Sequence, residues 1–173
     1  MTKKKAKSDG TFEVLVEIPR GSRSKYELDE KSGRLRLKEV LSSSVHYPTD
    51  YGFILDTLAD DGDHLDVLLL VEEPALPGSV QTARPIGVLD MADKKGDDQK
   101  ILAVPIGDPR FDEMQDLKDL PEHWKREITA FFGTYRLLDK ANPEIRGWRG
   151  KQSAWQIVEQ ARSAYADRNN QRS

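Results

Sequence analysis

Three carboxylates fall within the six residues from Asp61 to Asp66, which read Asp-Gly-Asp-His-Leu-Asp. The glycine favours a tight turn, and the apolar run from Val67 to Val71 that follows has the length and composition of a buried strand. Such a strand would hold the carboxylate oxygens of the turn still, and rigidly held oxygens suit hard divalent cations, above all magnesium. The segment predicts a metal-binding turn, with a solvated acidic turn as the simpler alternative.

Residue spacing and composition exclude several other metal sites. In an EF-hand loop starting at Asp61, Leu65 would occupy a ligand position and Asp66 the position of the invariant glycine. The chain has no cysteine, which excludes disulfides and thiolate sites, and a histidine-rich zinc site is disfavoured because there are only three histidines. Carboxylate ligands point to magnesium or manganese.

A second concentration of charge is predicted at the tip of a β-hairpin. The strand Val80–Met91, with Pro85 marking a bend or an edge, would be followed by a charged turn and the returning strand Gln99–Pro105. The charged residues of this tip are Asp93, Lys94, Lys95, Asp97, Asp98 and, just inside, Lys100. Taken alone, such a tip is more typical of a solvated loop than of a site.

The composition favours one globular domain with a heavily charged surface. The 173 residues are 37% hydrophobic and 33% charged, with a formal net charge of −3, which does not suggest a nucleic-acid partner. We expect a single domain over residues 1–173, with disordered tails at 1–10 and 167–173. No apolar run reaches the length of a membrane span, and the N-terminal lysines precede no apolar segment, so the cytoplasm is the expected location.

The elements around the acidic turn are mostly strands. Alternation predicts a strand over Phe12–Ile18, then Ser24–Asp29 and Arg34–Val40 joined by a turn. Glu39 is out of pattern on the third strand because it shares a face with Leu35 and Leu37.

Two helices are predicted in the C-terminal part of the chain. Asp119 and Pro121 mark the start of the first helix, and a final helix is expected over about Lys151–Tyr165, with Pro143 and Gly147 breaking the chain between them. The predicted core stripe of the first helix contains Trp124, Ile128, Phe131, Phe132, Tyr135 and Leu138. Six or seven short strands followed by two helices predict a mainly β fold with α (α+β), built as a small barrel or curved sheet covered by helices.

The turn Asp61–Asp66, preceded by Tyr47-Pro-x-x-Tyr51-Gly-Phe, resembles the signature of the soluble family I inorganic pyrophosphatases. The resemblance runs from about Phe12 to about Trp148 and is closest to the short bacterial form. It implies a five-stranded OB-like β-barrel with additional strands and two C-terminal helices packed outside. It also implies a homo-oligomer, by analogy a hexamer, and magnesium-dependent hydrolysis of inorganic pyrophosphate, with manganese as a substitute.

The resemblance also assigns roles to individual side chains. The implied metal ligands are Glu17, Glu27, Asp61, Asp66, Asp93 and Asp98. The implied phosphate-binding groups are Lys25, Tyr47, Tyr51, Lys100, Tyr135 and Arg136. Asp63 would be the general base beside the attacking water, with Asp98 as the second candidate. His64 lies inside the turn but is not a family ligand.

The chain departs from the family pattern at several positions. Glu39 stands where the family usually has a phosphate-binding arginine, and Lys94 stands where it often has glutamate. Arg136 replaces the usual lysine, and the lysine-rich piece before Gly147 is altered. We hypothesise that Glu39 and Lys94 form a swapped charge pair at the pocket rim.

Two rival functions remain open at this point. The first is a family member with weakened or redirected phosphoanhydride hydrolysis, or a phosphate- or metal-binding protein that is not an enzyme. The second is an OB-type nucleic-acid module, which the acidic turn and the negative net charge disfavour.

Overall fold

The computed structural model describes residues 9–171, so the lysine-containing segment predicted as an N-terminal tail lies outside the described residues as far as residue 8. Nine strands and two α-helices occur in the described part of the chain. The strands are β1 Phe12–Ile18, β2 Ser24–Asp29, β3 Arg34–Val40, β4 Asp50–Ile54, β5 Asp66–Leu69, β6 Val80–Asp93, β7 Gly96–Asp97, β8 Lys100–Pro105 and β9 Glu144–Gly150. The helices are α1 Glu122–Thr134 and α2 Lys151–Asn170.

Five of the strands close into a ring in the order β1–β4–β5–β8–β6, and β6 returns to pair with β1. All neighbours in the ring are antiparallel except β5 and β8, which are parallel. The closed ring, the additional strands and the two helices confirm the expected fold class. Pro85 lies beside a register shift in β6 and therefore marks a bulge within a strand that is paired on both sides.

The core lies on both faces of the ring, because successive side chains of a strand point to opposite faces. Val67 and Leu69 belong to one buried cluster, which α2 completes through Ala154, Val158 and Ala161. The intervening Leu68 and Leu70 belong to a second cluster, which includes Ile128, Phe131 and Phe132 of α1. Burial on both faces explains why this segment is a continuous apolar run rather than an alternating one.

The strands β2 and β3 form a separate two-stranded antiparallel sheet. Most of its side chains are exposed or half-buried, including Leu37 of β3. The predicted apolar face of β3 is therefore not a core face. No helix within residues 9–171 combines the length and the apolar character needed to span a membrane.

Three predictions about the C-terminal part are wrong. Pro143 and Gly147 do not simply break the chain, because β9 passes through Gly147 and pairs with β6. Leu138 is not a core residue; α1 ends at Thr134, and Leu138 is exposed beyond it. The tail predicted from residue 167 is helical as far as Asn170, while residues 172 and 173 lie outside the described part.

Candidate active site

An open pocket with a volume of about 1440 Å³ lies between the ring and the β2–β3 sheet. Every site residue expected from the sequence lines this pocket: Glu17, Lys25, Glu27, Tyr47, Tyr51, Asp61, Asp63, Asp66, Asp93, Asp98, Lys100, Tyr135 and Arg136. Glu17 lies on β1, and Lys25 and Glu27 lie on β2. Of the other carboxylates, two lie in the turn before β5, one is the first residue of β5, and two lie in the β6–β8 region. Tyr135 and Arg136 follow the end of α1. The pocket thus collects side chains from across the chain.

Six carboxylates of the pocket are called the acidic wall: Glu17, Glu27, Asp61, Asp66, Asp93 and Asp98. Lys100 lies beside two of them and is almost entirely buried. Its Nζ donates to Asp66 Oδ2 at 2.5 Å, to Asp98 Oδ1 at 2.8 Å and to the Tyr51 hydroxyl at 2.9 Å. Burial by itself would lower the pKa of Lys100, but the attraction of Asp66, with that of Tyr51 and Asp98, outweighs it and raises the pKa well above its ordinary value. Lys100 is therefore a fixed positive charge that joins two candidate metal ligands.

Two carboxylates of this wall have raised pKa values. Burial raises the pKa of Glu17 to about 7, opposed by a hydrogen bond from the Leu28 N–H at 2.7 Å and reinforced by the charge of Asp66. Burial likewise raises the pKa of Asp98, and the ammonium of Lys100 opposes the shift. Both groups are in an environment where a bound cation would favour the ionised form.

The acidic turn is shaped by its own backbone and by a neighbouring sheet. Asp61 Oδ1 accepts a hydrogen bond from the Asp63 N–H at 3.0 Å, and Gly62 has a positive φ of 88°, which glycine adopts without steric cost. The His64 ring lies 2.9 Å from the Thr57 carbonyl and 2.5 Å from Glu30 in the β2–β3 turn. The turn is therefore joined to the β2–β3 hairpin, which also lines the pocket.

The donor set suits a hard divalent cation. The acidic side chains that share this pocket offer only hard oxygens. No group of three or more histidine or acidic side chains among residues 9–171 is placed to hold a metal ion by itself. Waters or substrate oxygens would have to complete the coordination shell of a bound ion. Lys100 shows that a positive charge is accommodated between Asp66 and Asp98.

Glu27 and Asp93, like the other predicted ligands, make contacts with protein groups in this structure. Glu27 forms an exposed ion pair with Lys38 of β3. Asp93 Oδ1 accepts a hydrogen bond from the Lys95 N–H at 2.7 Å in the hairpin turn. Both side chains line the pocket, so each could serve a metal through an intervening water.

Aromatic and cationic side chains line the same pocket. The Tyr47 ring packs against Tyr51 with centroids 5.4 Å apart and against Phe131 at 4.8 Å. Burial raises the pKa of both tyrosines above the ordinary value, so their hydroxyls stay protonated and can donate to an anion. Burial, followed by the repulsion of Arg136, lowers the pKa of Lys25.

Several pocket residues are not predicted from the sequence. Arg146 lines the pocket from β9, where its Nη1 contacts Asp97 Oδ1 at 2.7 Å. The lysine-rich piece that the family has before Gly147 is altered here, so the sequence assigns no cation to this segment. Nothing in the local sequence marks the other cations of the lining as site residues: Lys31, Arg36, Lys38, Lys140 and Arg168.

Glu39 does not pair with Lys94, so that hypothesis is wrong. Both oxygens of Glu39 accept hydrogen bonds from Arg136, and Lys25 Nζ lies 3.8 Å from Glu39 Oε1. Lys94 lines the pocket from the hairpin tip, and no ion pair joins it to Glu39. Arg136, and not Lys94, is therefore the cation that compensates the negative charge of Glu39.

Comparison with known proteins agrees with the geometry. The family model for inorganic pyrophosphatase matches residues 14–166. The chain is 47% identical over 156 residues to an inorganic pyrophosphatase of Synechocystis, covering 90% of this chain and 92% of that protein. It is 44% identical over 154 residues to one of Methanosarcina mazei, covering 89% and 91%.

Solved structures give the same result. The crystal structure of an inorganic pyrophosphatase from Thermus thermophilus superposes with a TM-score of 0.89 at 42% identity, covering 92% of this chain and 94% of that one. The enzyme from Helicobacter pylori gives a TM-score of 0.88 at 40% identity, covering 90% and 94%. The likeness extends over the strands and helices that carry the pocket, and this chain therefore belongs to the inorganic pyrophosphatase family.

Proposed function

We propose that the pocket hydrolyses inorganic pyrophosphate to two orthophosphates, with magnesium as the resident metal and manganese as a substitute. The observation that carries the proposal is the combination of two kinds of side chain in one pocket. Carboxylates surround Lys100, and tyrosines and further cations line the same space. A polyanion that arrives with divalent cations needs both kinds of group.

The residues proposed to hold magnesium are those of the acidic wall: Glu17, Glu27, Asp61, Asp66, Asp93 and Asp98. When bound, the metal supplies charge neutralisation for the phosphoryl oxygens and makes water a better nucleophile at neutral pH. Lys100 limits the repulsion among these carboxylates, because its ammonium lies within 2.8 Å of both Asp66 and Asp98.

The residues proposed to bind the phosphates are Lys25, Tyr47, Tyr51, Lys100, Tyr135 and Arg136. Lys25 and Arg136 supply charge, while Tyr47 and Tyr51 supply hydroxyls without adding fixed charge. Tyr47 and Tyr51 are fixed by ring packing, so the hydroxyl positions are set before substrate arrives.

Asp63 is proposed as the general base that takes a proton from the attacking water. Its side chain is exposed in the pocket lining, and its backbone is held by hydrogen bonds to Asp61 and Ala59. A carboxylate in this position can reach a water without losing its own solvation. Asp98 is the second candidate, because its raised pKa suits a proton acceptor.

Phosphate release from pyrophosphate should depend strictly on added magnesium. All proposed ligands are hard oxygens, and calcium should be a poor substitute because its longer and looser coordination misplaces the substrate. The measurement is colorimetric phosphate release with magnesium, manganese, calcium or excess chelator. Full activity in chelator would contradict the proposed metal, and magnesium-dependent cleavage of other phosphoanhydrides in preference to pyrophosphate would favour the redirected-activity alternative.

We further propose a hexamer, formed by a single folded domain that acts in the cytoplasm on pyrophosphate and has no nucleic-acid or membrane partner. Several large apolar side chains are exposed on this protomer, including Leu76, Val80, Leu137 and Leu138. A closed symmetric oligomer would cover part of this surface. Sedimentation equilibrium at micromolar concentration should give six times the 19.6 kDa chain mass; a monomer would refute the assignment.

A further inference from the structure

The contact between Glu39 and Arg136 joins two distant parts of the chain at the pocket. Glu39 lies on β3, and Arg136 follows α1, 97 residues later in the sequence. Arg136 Nη1 donates to Glu39 Oε2 at 3.0 Å, and Nη2 donates to Oε1. The two terminal nitrogens thus form a fork with the two carboxylate oxygens, which fixes the orientation of the guanidinium plane as well as its position.

The surroundings support the same orientation. Arg136 Nη1 lies 3.5 Å from Asp139, and Asp139 accepts a hydrogen bond from Ser42 at 2.9 Å. The guanidinium carbon lies 5.2 Å from the Tyr135 ring centroid. The side chains of Arg136 and Glu39 are only 22% and 33% exposed, so water screens this pair less than a pair on the open surface.

The fork leaves part of the guanidinium for an anion. A guanidinium has five N–H donors, and the contact with Glu39 uses one on each terminal nitrogen. The edge formed by Nε and the second hydrogen of Nη2 is another two-donor fork, which fits two oxygens of a phosphate. Arg136 lines the pocket together with Lys25 and Lys100 and also contacts the Asp139 and Tyr135 side chains, so its guanidinium lies where an anion in the pocket would meet it.

Glu39 would be unfavourable for a polyanion if its charge were bare. Here Arg136 pairs with it, and Lys25 lies 3.8 Å away, so the negative charge of Glu39 is compensated. A free arginine side chain would also lose rotamer entropy when it engaged substrate. An arginine that is already fixed by Glu39 has lost much of that freedom before substrate arrives.

We propose that Glu39 is a positioning residue for pyrophosphate: it fixes Arg136 so that the Nε edge of the guanidinium binds a phosphate group. The proposal rests on the proposed function of the pocket. According to this proposal, Glu39 affects substrate binding only through Arg136. A general electrostatic or structural role of Glu39 would not require Arg136.

A double-mutant cycle on kcat/KM for pyrophosphate, with Glu39→Gln, Arg136→Ala and the double variant, tests the proposal. Glu39→Gln should lower kcat/KM about 3- to 30-fold in the native background and should have almost no effect in the Arg136→Ala background, as for residues that act as one unit. The magnesium concentration for half-maximal activity should not change. Calorimetric affinity for imidodiphosphate should show the same pattern without turnover.

Asp90→Asn is the matched control for loss of a carboxylate–arginine fork. Asp90 accepts from Arg149 Nε at 2.5 Å and from Nη2 at 2.7 Å, and neither residue lines the pocket. Its melting temperature should fall about as much as that of Glu39→Gln, while its kcat/KM and its affinity for imidodiphosphate stay native.

Three results would overturn the proposal. They are additive effects in the cycle, an unchanged or higher kcat/KM in Glu39→Gln, and an equal loss in Asp90→Asn. If the native chain does not cleave pyrophosphate, the proposed function fails instead, and the imidodiphosphate affinities still decide the role of Glu39.

Discussion

Replacing Asp63 with asparagine is expected to lower kcat for pyrophosphate hydrolysis by roughly a hundredfold or more while the fold survives. The change keeps the size of the side chain and removes its capacity to accept a proton. The Asp63 side chain is exposed, and the turn is held by a hydrogen bond from the Asp63 backbone N–H to the Asp61 carboxylate. The turn therefore does not depend on the charge of residue 63. The measurement is kcat at saturating magnesium, with circular dichroism as the check on folding.

Two substitutions at neighbouring aspartates show whether the loss of kcat is particular to Asp63. Asp66→Asn should mainly raise the magnesium concentration needed for half-maximal activity, because Asp66 is proposed as a ligand rather than as the base. Asp60→Asn is the matched control, since Asp60 is an exposed neighbour that does not line the pocket, and its kcat should stay native. A nearly silent Asp63→Asn, or one that behaves like Asp66→Asn, would move the assignment of the base to Asp98.

Replacing Lys100 with methionine is expected to lower kcat/KM by about a hundred- to a thousandfold, the range found when one preorganised electrostatic contact is removed from an active site. The methionine retains an unbranched side chain in the buried space but leaves Asp66 and Asp98 without their shared cation. Loss of one partner of a buried ion pair typically costs about 3–5 kcal/mol of folding free energy. Here the cost should be smaller, because the side chains of Asp66 and Asp98 are 29% and 22% exposed and can recover water.

Lys125→Met is the control for this second experiment. Lys125 pairs with Glu122 on α1, has a side chain only 23% exposed and does not line the pocket. Steady-state kinetics and urea denaturation of both variants separate the loss of activity from the loss of stability. Native-like kcat/KM in Lys100→Met would remove Lys100 from the proposed site.

Local pattern was sufficient for the elements that begin and end with clear signals. The first three strands have the predicted bounds, because their alternating residues are interrupted by glycine-containing turns. β9 was missed because Gly147 has a φ of 125° within the strand, at a register shift against β6. A glycine at a bulge and a glycine that ends a strand look the same in sequence.

The sequence predicts a set of residues that share one pocket, but it predicts neither the whole lining of that pocket nor the contacts within it. All predicted residues line one pocket, since each was marked by its place in a motif. The partner of Glu39 depends on how β3 lies against the end of α1, and no local pattern contains that information. The same limit applies to Leu138, whose helical spacing continues the aromatic stripe although α1 has already ended.

Closure of the five-strand ring has a consequence for the order of folding. Phe12 of β1 pairs with Ala83 of β6, so a long loop must close before this contact forms, and contacts of high sequence separation form slowly. The pocket draws on β1, β2, the turn before β5, β8 and the end of α1, and it is complete only after the ring has closed. A metal ion or substrate that needs the whole pocket therefore binds late on the folding path, and it slows the opening of the native ring without accelerating its formation.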